Sequence, residues 1–210
     1  MRIAVVNETS AADHNLDIVT ALEGRGQIIN AGMTISGAKP ELTYIHTGFM
    51  AALLLNAGRA DLVVGGCGTG QGFMNSVLMY PGVICGHILT PLDASIFPRI
   101  NAGNCISLML NQGWGWGSDL NLKMIFDAWF GVESGAGYPA HRVESQKQSR
   151  ERLTAISRIG RRSMAVIVRD IDAAVIDPAL NYPGFWEILD VKSLSDRELA
   201  AALSARKRGR

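Results

Sequence analysis

The chain has 210 residues, of which 48% are hydrophobic and 19% are charged, and its formal net charge is +1. This composition excludes a disordered protein, and the length suits one domain with a full-sized core. Residues 1–140 hold 6 lysines and arginines against 10 acidic residues, whereas residues 141–210 hold 14 against 9. Because the basic residues of the second part are mixed with acidic and apolar ones, they indicate solvated helix faces or packing on an acidic neighbour rather than nucleic-acid binding.

Short apolar segments alternate with helical patterns over the first 131 residues. Strands alternating with helices predict a parallel sheet that is covered on both faces. The segments predicted as buried strands are 3–6, 27–30, 62–65, 83–86 and 105–109, and those predicted as helices are 13–24, 43–57, 71–80, 91–100 and 118–131.

The composition changes after residue 131. A breaker-rich stretch, SGAGYP at 134–139, precedes a long helical pattern over 143–169. Two prolines, a glycine and a tryptophan in residues 177–189 predict an irregular segment that packs through its aromatic side chains. The capping-box spacing of Ser195 and Glu198 predicts a last helix over 196–206 with Ser195 as its N-cap.

The three cysteines, Cys67, Cys85 and Cys105, are too few and too far apart for a disulfide framework or a zinc site. The last two fall inside predicted strands, so we expect them in the core. The start of the chain lacks the pattern of a signal peptide, and no apolar run approaches the length of a membrane span. A cytoplasmic protein with reduced thiols and no membrane partner is the expectation.

The most informative stretch begins at residue 61 and reads DLVVGGCGTGQG, an apolar run that ends in alternating glycines. Glycine lets a ligand approach main-chain N–H groups closely, and a strand followed by such a loop and a helix offers a pocket for an oxyanion or a phosphate. The spacing fits neither the dinucleotide fingerprint nor the Walker loop. The alternatives are a tight turn, an inert buried Cys67 and a Thr69 that only caps the next helix.

Several motifs occur together along residues 2–143. They are RIAV from residue 2, Tyr44, GCGTGQG at 66–72, Pro91 with Ala94, Asn101 with Asn104, DAWFG at 127–131, and Arg142 with Val143. In this combination the chain resembles the ribose-5-phosphate isomerase type B and galactose-6-phosphate isomerase family. The resemblance implies a three-layer α/β/α sandwich with a five-stranded parallel sheet in the order 2-1-3-5-4. It places a sugar-phosphate isomerase domain at 1–142, and residues 143–210 are then a C-terminal helical extension that we expect to form oligomers.

The resemblance also implies an activity, which is aldose–ketose isomerisation of a small sugar phosphate without a metal or cofactor, in a homodimer or homotetramer with shared sites. The enediolate of this reaction needs hydrogen-bond donors where its oxyanion develops, and it needs a base tuned near neutrality. Glycine N–H groups supply the donors, and a thiol at a helix N-terminus has its thiolate favoured by the helix dipole. We predict Cys67 as the base and Thr69 as the residue that orients its thiol. The residues predicted to bind substrate are Glu8, Tyr44, Gly66, Gly68, Gly70, Gln71, Gly72, Asn101, Asn104 and Arg142.

The chain departs from the family pattern at positions that matter for chemistry. Residues 8–9 read Glu-Thr instead of Asp-His, and Ile100 replaces the histidine that opens the sugar ring. Gln71 stands where one branch of the family has a glutamate base, which leaves Cys67 as the base. Of two arginines expected around the phosphate, Arg142 is present and Tyr138 takes the place of the other.

These departures predict a preference for substrates that are already open-chain. His87 is a candidate to replace the missing ring-opening acid. Trp114 and Trp116 form an aromatic loop, which either packs at an interface between subunits or forms a wall of the substrate pocket. Two other functions stay open. One is a sugar-phosphate-binding or regulatory protein without turnover, and the other is an epimerase that uses the same enediolate chemistry.

Overall fold

A computed structural model describes residues 1–208 of the chain. Its centre is one sheet in which neighbouring strands are parallel and the order is β2-β1-β3-β5-β4. The predicted α/β class, the five parallel strands and their order are therefore confirmed. The strands are β1 (Arg2–Asn7), β2 (Gln27–Asn30), β3 (Leu62–Cys67), β4 (Cys85–His87) and β5 (Cys105–Met109).

Helices cover both faces of the sheet because successive residues of a buried strand point to opposite sides. Along β1, Ile3 and Val5 belong to one hydrophobic cluster, whereas Ala4 and Val6 belong to the other. The cluster of Ile3 includes residues of α1 (Asn15–Ala21), α4 (Pro91–Asn101) and α5 (Ser118–Phe130), and the cluster of Ala4 includes residues of α2 (Tyr44–Asn56) and α3 (Gln71–Val77).

The segment beyond residue 142 falls into two parts that differ in burial. Four of its helices bury apolar side chains in the cluster that contains α2, and residues 47–54 of α2 are all buried as a result. These four are α7 (Met164–Asp170), α8 (Ala173–Leu180), α9 (Phe185–Leu189) and α10 (Arg197–Arg208). By contrast, α6 (Val143–Gly160) buries none of its 18 residues.

The helix α6 lies across the amino edge of the sheet, the edge at which the strands begin. Its Arg150 donates a hydrogen bond of 2.8 Å to the carbonyl oxygen of Ile100, at the end of α4. Just past the C-terminal end of α6, Arg161 donates a hydrogen bond of 2.9 Å to the carbonyl oxygen of Tyr80, which lies beyond α3. Because α3 and α4 both run back from the carboxyl edge, these two anchors fix α6 on the opposite side of the sheet from the glycine loop.

Two predictions about helices are wrong. The helix over 13–24 is a 3-10 helix, Thr9–His14, followed by the shorter α1. The pattern over 143–169 is two helices, since Arg161 takes an extended conformation and Ser163 caps α7 by accepting the N–H of Val166. The division lets α7 turn its apolar face inward while α6 stays exposed.

The end of the chain also differs from its prediction. Residues 177–189 are ordered in α8 and α9, because Asp172 caps α8 and the helix tolerates Pro178 inside its short length. The N-cap of the last helix is Asp196 rather than Ser195, since the Asp196 carboxylate accepts the N–H of Leu199 at 2.9 Å.

Candidate active site

The carboxyl edge of the sheet gathers the loops that follow β1, β3, β4 and β5, which is where open α/β sheets bind ligands. Residues 110–112 after β5 are tied to the glycine loop after β3 by main-chain hydrogen bonds. The N–H of Leu110 donates to the carbonyl oxygen of Cys67 at 3.1 Å, and the N–H groups of Asn111 and Gln112 donate to that of Gly68 at 3.0 and 2.9 Å. The glycine loop is thus held by the neighbouring strand and not only by its own turn.

Most glycines of this loop are required by close contacts. A Cβ atom on Gly66 would lie 2.3 Å from the carbonyl oxygen of Leu108, and one on Gly72 would lie 3.2 Å from the ring of Tyr44. Gly70 has a φ of +75° and a Cβ there would lie 2.5 Å from Nε2 of His87. Only Gly68 has room at van der Waals distance. The loop is packed more tightly than a turn requires.

Cys67, the predicted base, and Thr69, its predicted orienting residue, lie close together in this loop. The Sγ atom of Cys67 lies 3.9 Å from Oγ1 of Thr69, which also accepts the N–H of Gln71 at 3.3 Å. Cys67 is buried with 7% of its surface exposed, at the end of β3. The hydroxyl of Thr69 therefore caps the start of α3 and contacts the thiol at once.

Three N–H groups of the loop and the first turn of α3 are left for a ligand. Within residues 1–208, those of Thr69, Gly72 and Phe73 have no protein acceptor, whereas that of Gly70 bonds the carbonyl oxygen of Cys67. Free N–H groups beside a thiol are the donors that a developing oxyanion requires. Tyr44 and Gln71, both exposed, border the same loop.

Glu8 adds a carboxylate at the end of β1. It is 4% exposed, and among the described residues it is the one buried carboxylate. Burial raises the pKa of Glu8 above its ordinary value of 4.5, against hydrogen bonds from Ser10 that lower it. The N–H of Ser10 donates to Oε1 of Glu8 at 3.1 Å, and the Ser10 hydroxyl donates to the same oxygen.

The residues Ser10 and Asn111 belong to this site and were not predicted. The N–H of Gly68 donates to the hydroxyl oxygen of Ser10 at 3.1 Å, and the amide of Asn111 donates to the carbonyl oxygen of Ser10 at 2.7 Å. The contacts join positions 58 and 101 residues apart, so no local motif indicates them. The signal that the sequence did offer is that each residue follows the end of a predicted strand.

The remaining predicted binding residues lie at the amino edge of the same chain. Asn101 ends α4, and Arg142 directly precedes α6 and is exposed. The side chain of Asn104 accepts the N–H of Ile84 and donates to the carbonyl oxygen of Gly82, both at 2.8 Å, and so holds the turn before β4. One protomer therefore does not bring these three residues to Cys67.

Several other residues that could carry chemistry have structural partners instead. His46 bridges the N–H of Thr43 and the carbonyl oxygen of Ala174 in α8, as a structural histidine does. Cys85 and Cys105 are buried in the core, as predicted. The ring of Trp114 packs on that of His14 with centroids 3.9 Å apart, whereas Trp116 in the same loop is fully exposed.

In residues 1–208 no group of three or more His, Cys, Asp or Glu side chains is arranged to hold a metal ion. None of the helices in that range has the length and apolar character needed to cross a membrane.

The α/β fold and the glycine loop at this edge agree with what comparison with known proteins shows, which is a family of sugar isomerases. A model of the Ribose/Galactose Isomerase family matches residues 3–152, and the chain belongs to that family. No curated protein sequence matched the chain.

Two solved structures are similar over 98% of this chain and 98% of their own. One is a 4-deoxy-L-threo-5-hexosulose-uronate ketol-isomerase complexed with a tartrate, with 33% identity and a TM-score of 0.90. The other is the ribose-5-phosphate isomerase of Vibrio parahaemolyticus, with 36% identity and a TM-score of 0.91. The ribose-5-phosphate isomerase B of Clostridium thermocellum, 21% identical with a TM-score of 0.62, covers 76% of this chain and 99% of its own and shares the fold. The C-terminal helices are thus matched in the first two structures.

Proposed function

We propose that the protein is a ketol-isomerase that interconverts the aldose and ketose forms of an open-chain, acidic sugar through a cis-enediolate. The observation that carries the proposal is the pairing of the Cys67 thiol with three unpaired N–H groups on one glycine loop. In this proposal the Cys67 thiolate removes the proton from the carbon next to the carbonyl. The N–H groups of Thr69, Gly72 and Phe73 stabilise the oxyanion, and Cys67 returns the proton to the neighbouring carbon.

The preference for an open-chain substrate rests on two positions. Ile100 has no proton to donate to a ring oxygen. His87, the candidate replacement, has its Nε2 atom buried behind Gly70 without a hydrogen-bond partner, so it does not reach a substrate on the other side of the loop. A sugar that is already open needs neither residue.

The acidic group of the substrate is proposed to be a carboxylate. A phosphate carries close to two negative charges and suits a pair of arginines, whereas a carboxylate carries one and is matched by a single bidentate arginine. This chain keeps Arg142 and has Tyr138 at the second position. The similar ketol-isomerase is named for a uronate, which carries a carboxylate.

A sugar phosphate is the second candidate substrate, either ribose 5-phosphate or a shorter open-chain phosphate. It is favoured by the 36% identity with a ribose-5-phosphate isomerase over almost the whole chain.

The proposed assembly is a homodimer or homotetramer in which a partner completes each site. Asn101 and Arg142 lie at the amino edge, far from the Cys67 of their own chain, so their proposed contact with substrate needs a second subunit. We assign the oligomer-forming role of residues 143–210 to α6, whose Leu153, Ile156 and Ile159 are 60%, 62% and 89% exposed at helical spacing. A cytoplasmic location, with neither nucleic acid nor a membrane as partner, completes the proposal.

A solvent-deuterium exchange screen tests the proposed function. The purified protein is incubated in D₂O with an open-chain hexosulose uronate, a four-carbon sugar phosphate and ribose 5-phosphate, and the products are followed by NMR. We expect deuterium at the carbon next to the carbonyl together with a shift of the carbonyl, fastest for the uronate. Exchange with inversion and no carbonyl shift would identify an epimerase, and binding of a sugar without exchange would identify a protein that lacks turnover.

A further inference from the structure

Aldose–ketose isomerisation moves two protons, and the proposed site accounts for only one of them. Cys67 carries a proton between two carbons. The hydroxyl proton on the neighbouring oxygen must also leave that oxygen and reach the former carbonyl oxygen. Thr69 is not available to carry this hydroxyl proton, because its hydroxyl oxygen accepts the N–H of Gln71 and lies beside the thiol of Cys67.

The hydroxyl of Ser10 is placed between an acid–base group and the glycine loop. It donates its proton to Oε1 of the buried Glu8 and accepts the N–H of Gly68, the residue after Cys67, at 3.1 Å. A serine oxygen has two lone pairs, so one remains free to accept a hydrogen bond. Ser10 is exposed whereas Glu8 is 4% exposed, and the free lone pair therefore belongs to the more accessible of the two residues.

The surroundings hold this hydroxyl in place. The carbonyl oxygen of Ser10 accepts the Asn111 amide at 2.7 Å, and the N–H of Ser10 donates to Glu8 at 3.1 Å. Three loops, those after β1, β3 and β5, thus meet at one serine. The main-chain contacts fix the position of Ser10, and a residue that served only as a surface cap would not need contacts to all three loops.

We propose that Ser10 is a catalytic residue that relays the hydroxyl proton of the substrate to and from Glu8. The substrate O–H bond breaks as its proton passes to Oγ of Ser10, while the proton of Ser10 passes to the Glu8 carboxylate. The reverse transfer delivers a proton to the adjacent oxygen, so that Ser10 and Glu8 end in their starting states and no oxidant or other reactant is consumed. The inference rests on the proposed function, since it supplies the second proton transfer of that reaction.

The environment of Glu8 suits a proton store that does not touch the substrate. Burial raises the pKa of its carboxyl, which brings it closer to the pH at which the enzyme operates and makes it a better base. Among residues 1–208 Glu8 has no cationic partner in an ion pair, and the relay gives a reason for a carboxylate to be buried there, beside the tightly packed glycine loop.

The test compares two rates for each variant in D₂O with the best substrate of the screen: isomerisation, and deuterium incorporation into recovered substrate. For Ser10→Ala we expect isomerisation to fall about 100-fold, the low end for a lost general acid–base group, with little change in KM. Carbon exchange persists, because Cys67 still forms the enediolate, its thiol proton exchanges with D₂O, and a deuteron returns to the original carbon. The ratio of exchange to isomerisation therefore rises. Ser10→Thr, which keeps the hydroxyl, restores the wild-type ratio, and Ser195→Ala, at an exposed position before α10, leaves both rates unchanged.

Other outcomes overturn the relay. A Ser10→Ala protein that isomerises at the wild-type rate contradicts it, and so does an equal fall of both rates, which indicates a structural role. If Ser10→Ala does not fold, Glu8→Gln provides the same measurement, because it keeps an acceptor oxygen for Ser10 and cannot store the proton. A wild-type protein that neither exchanges nor isomerises any substrate overturns the proposed function itself, whereas wild-type turnover with an unchanged ratio in the variants overturns the relay alone.

Discussion

The imidazole of His87 closes the space behind Gly70, where a Cβ atom would lie 2.5 Å from Nε2 and 2.8 Å from Cδ2. The buried Nε2 has no hydrogen-bond partner. The carbonyl oxygen of Gly70 accepts the hydroxyl of the buried Ser107 at 2.5 Å. The glycine loop therefore packs on β4 and β5, and its shape depends on the absence of a side chain at position 70.

Gly70→Ala is expected to lower both stability and activity. A left-handed conformation costs a non-glycine residue about 1–2 kcal/mol, and a clash in a packed site costs about 1–3 kcal/mol more. We expect the free energy of unfolding in urea to fall by at least about 2 kcal/mol. Gly24→Ala is the matched control, because Gly24 has a similar φ of +77° and no neighbour within 4 Å. An equal loss of unfolding free energy in the two variants would show that the contact with His87 does not contribute to stability.

Glu8 is expected to make stability fall as pH rises. Its folded-state pKa is raised above the ordinary 4.5, so the native state binds the proton more tightly than the unfolded state. The stabilisation is complete below about pH 4.5 and is lost as pH rises through the folded-state pKa. Denaturation of the wild type and Glu8→Gln across pH 4–8 measures the difference. We expect Glu8→Gln to gain stability relative to the wild type as pH rises, and a difference independent of pH would contradict the assignment.

Substitution of the apolar residues on α6 is expected to break the assembly. Leu153, Ile156 and Ile159 have no buried contact in their own chain, so their replacement by serine removes only the proposed contacts with a second subunit. Light scattering of the triple variant should report a particle of about 22.6 kDa, with the wild type at twice that mass or more. Leu16→Ser, at a 72% exposed position on α1, is the control and should leave the mass unchanged. A wild type that is itself monomeric would contradict both the assembly and the shared site.

Ile100→His is expected to shift substrate preference. A histidine at this position supplies an acid for ring opening, the step for which the wild type has no group. We expect kcat/KM on ribose 5-phosphate to rise at least tenfold relative to that on a four-carbon phosphate, which corresponds to about 1.4 kcal/mol in the transition state. Ile100→Leu is the control for the change of shape. If the wild type already prefers the cyclic sugar by tenfold, the reading of Ile100 is wrong.

The sheet and the glycine loop could be predicted from the sequence because local residue patterns indicate both. Apolar runs of four to six residues locate buried strands, and alternating glycines with one thiol locate the loop between β3 and α3. What the sequence did not predict depends on contacts between distant residues. The proposed role of Ser10 depends on its contacts with Gly68 and Glu8, which are not visible in a local motif. The helical pattern over 143–169 gave no sign of the break between α6 and α7, which burial of α7 requires. Asn101 and Arg142 illustrate a further limit, since their proposed contact with substrate needs a second subunit, which one chain does not show.

The most direct test of the account is the rate of deuterium incorporation next to the substrate carbonyl in wild type and Cys67→Ala. A general base contributes about 100- to 10,000-fold. We predict that Cys67→Ala retains the fold and loses at least 100-fold in this rate, because no other residue of the glycine loop replaces the thiol. A folded Cys67→Ala protein that incorporates deuterium at the wild-type rate would contradict the account.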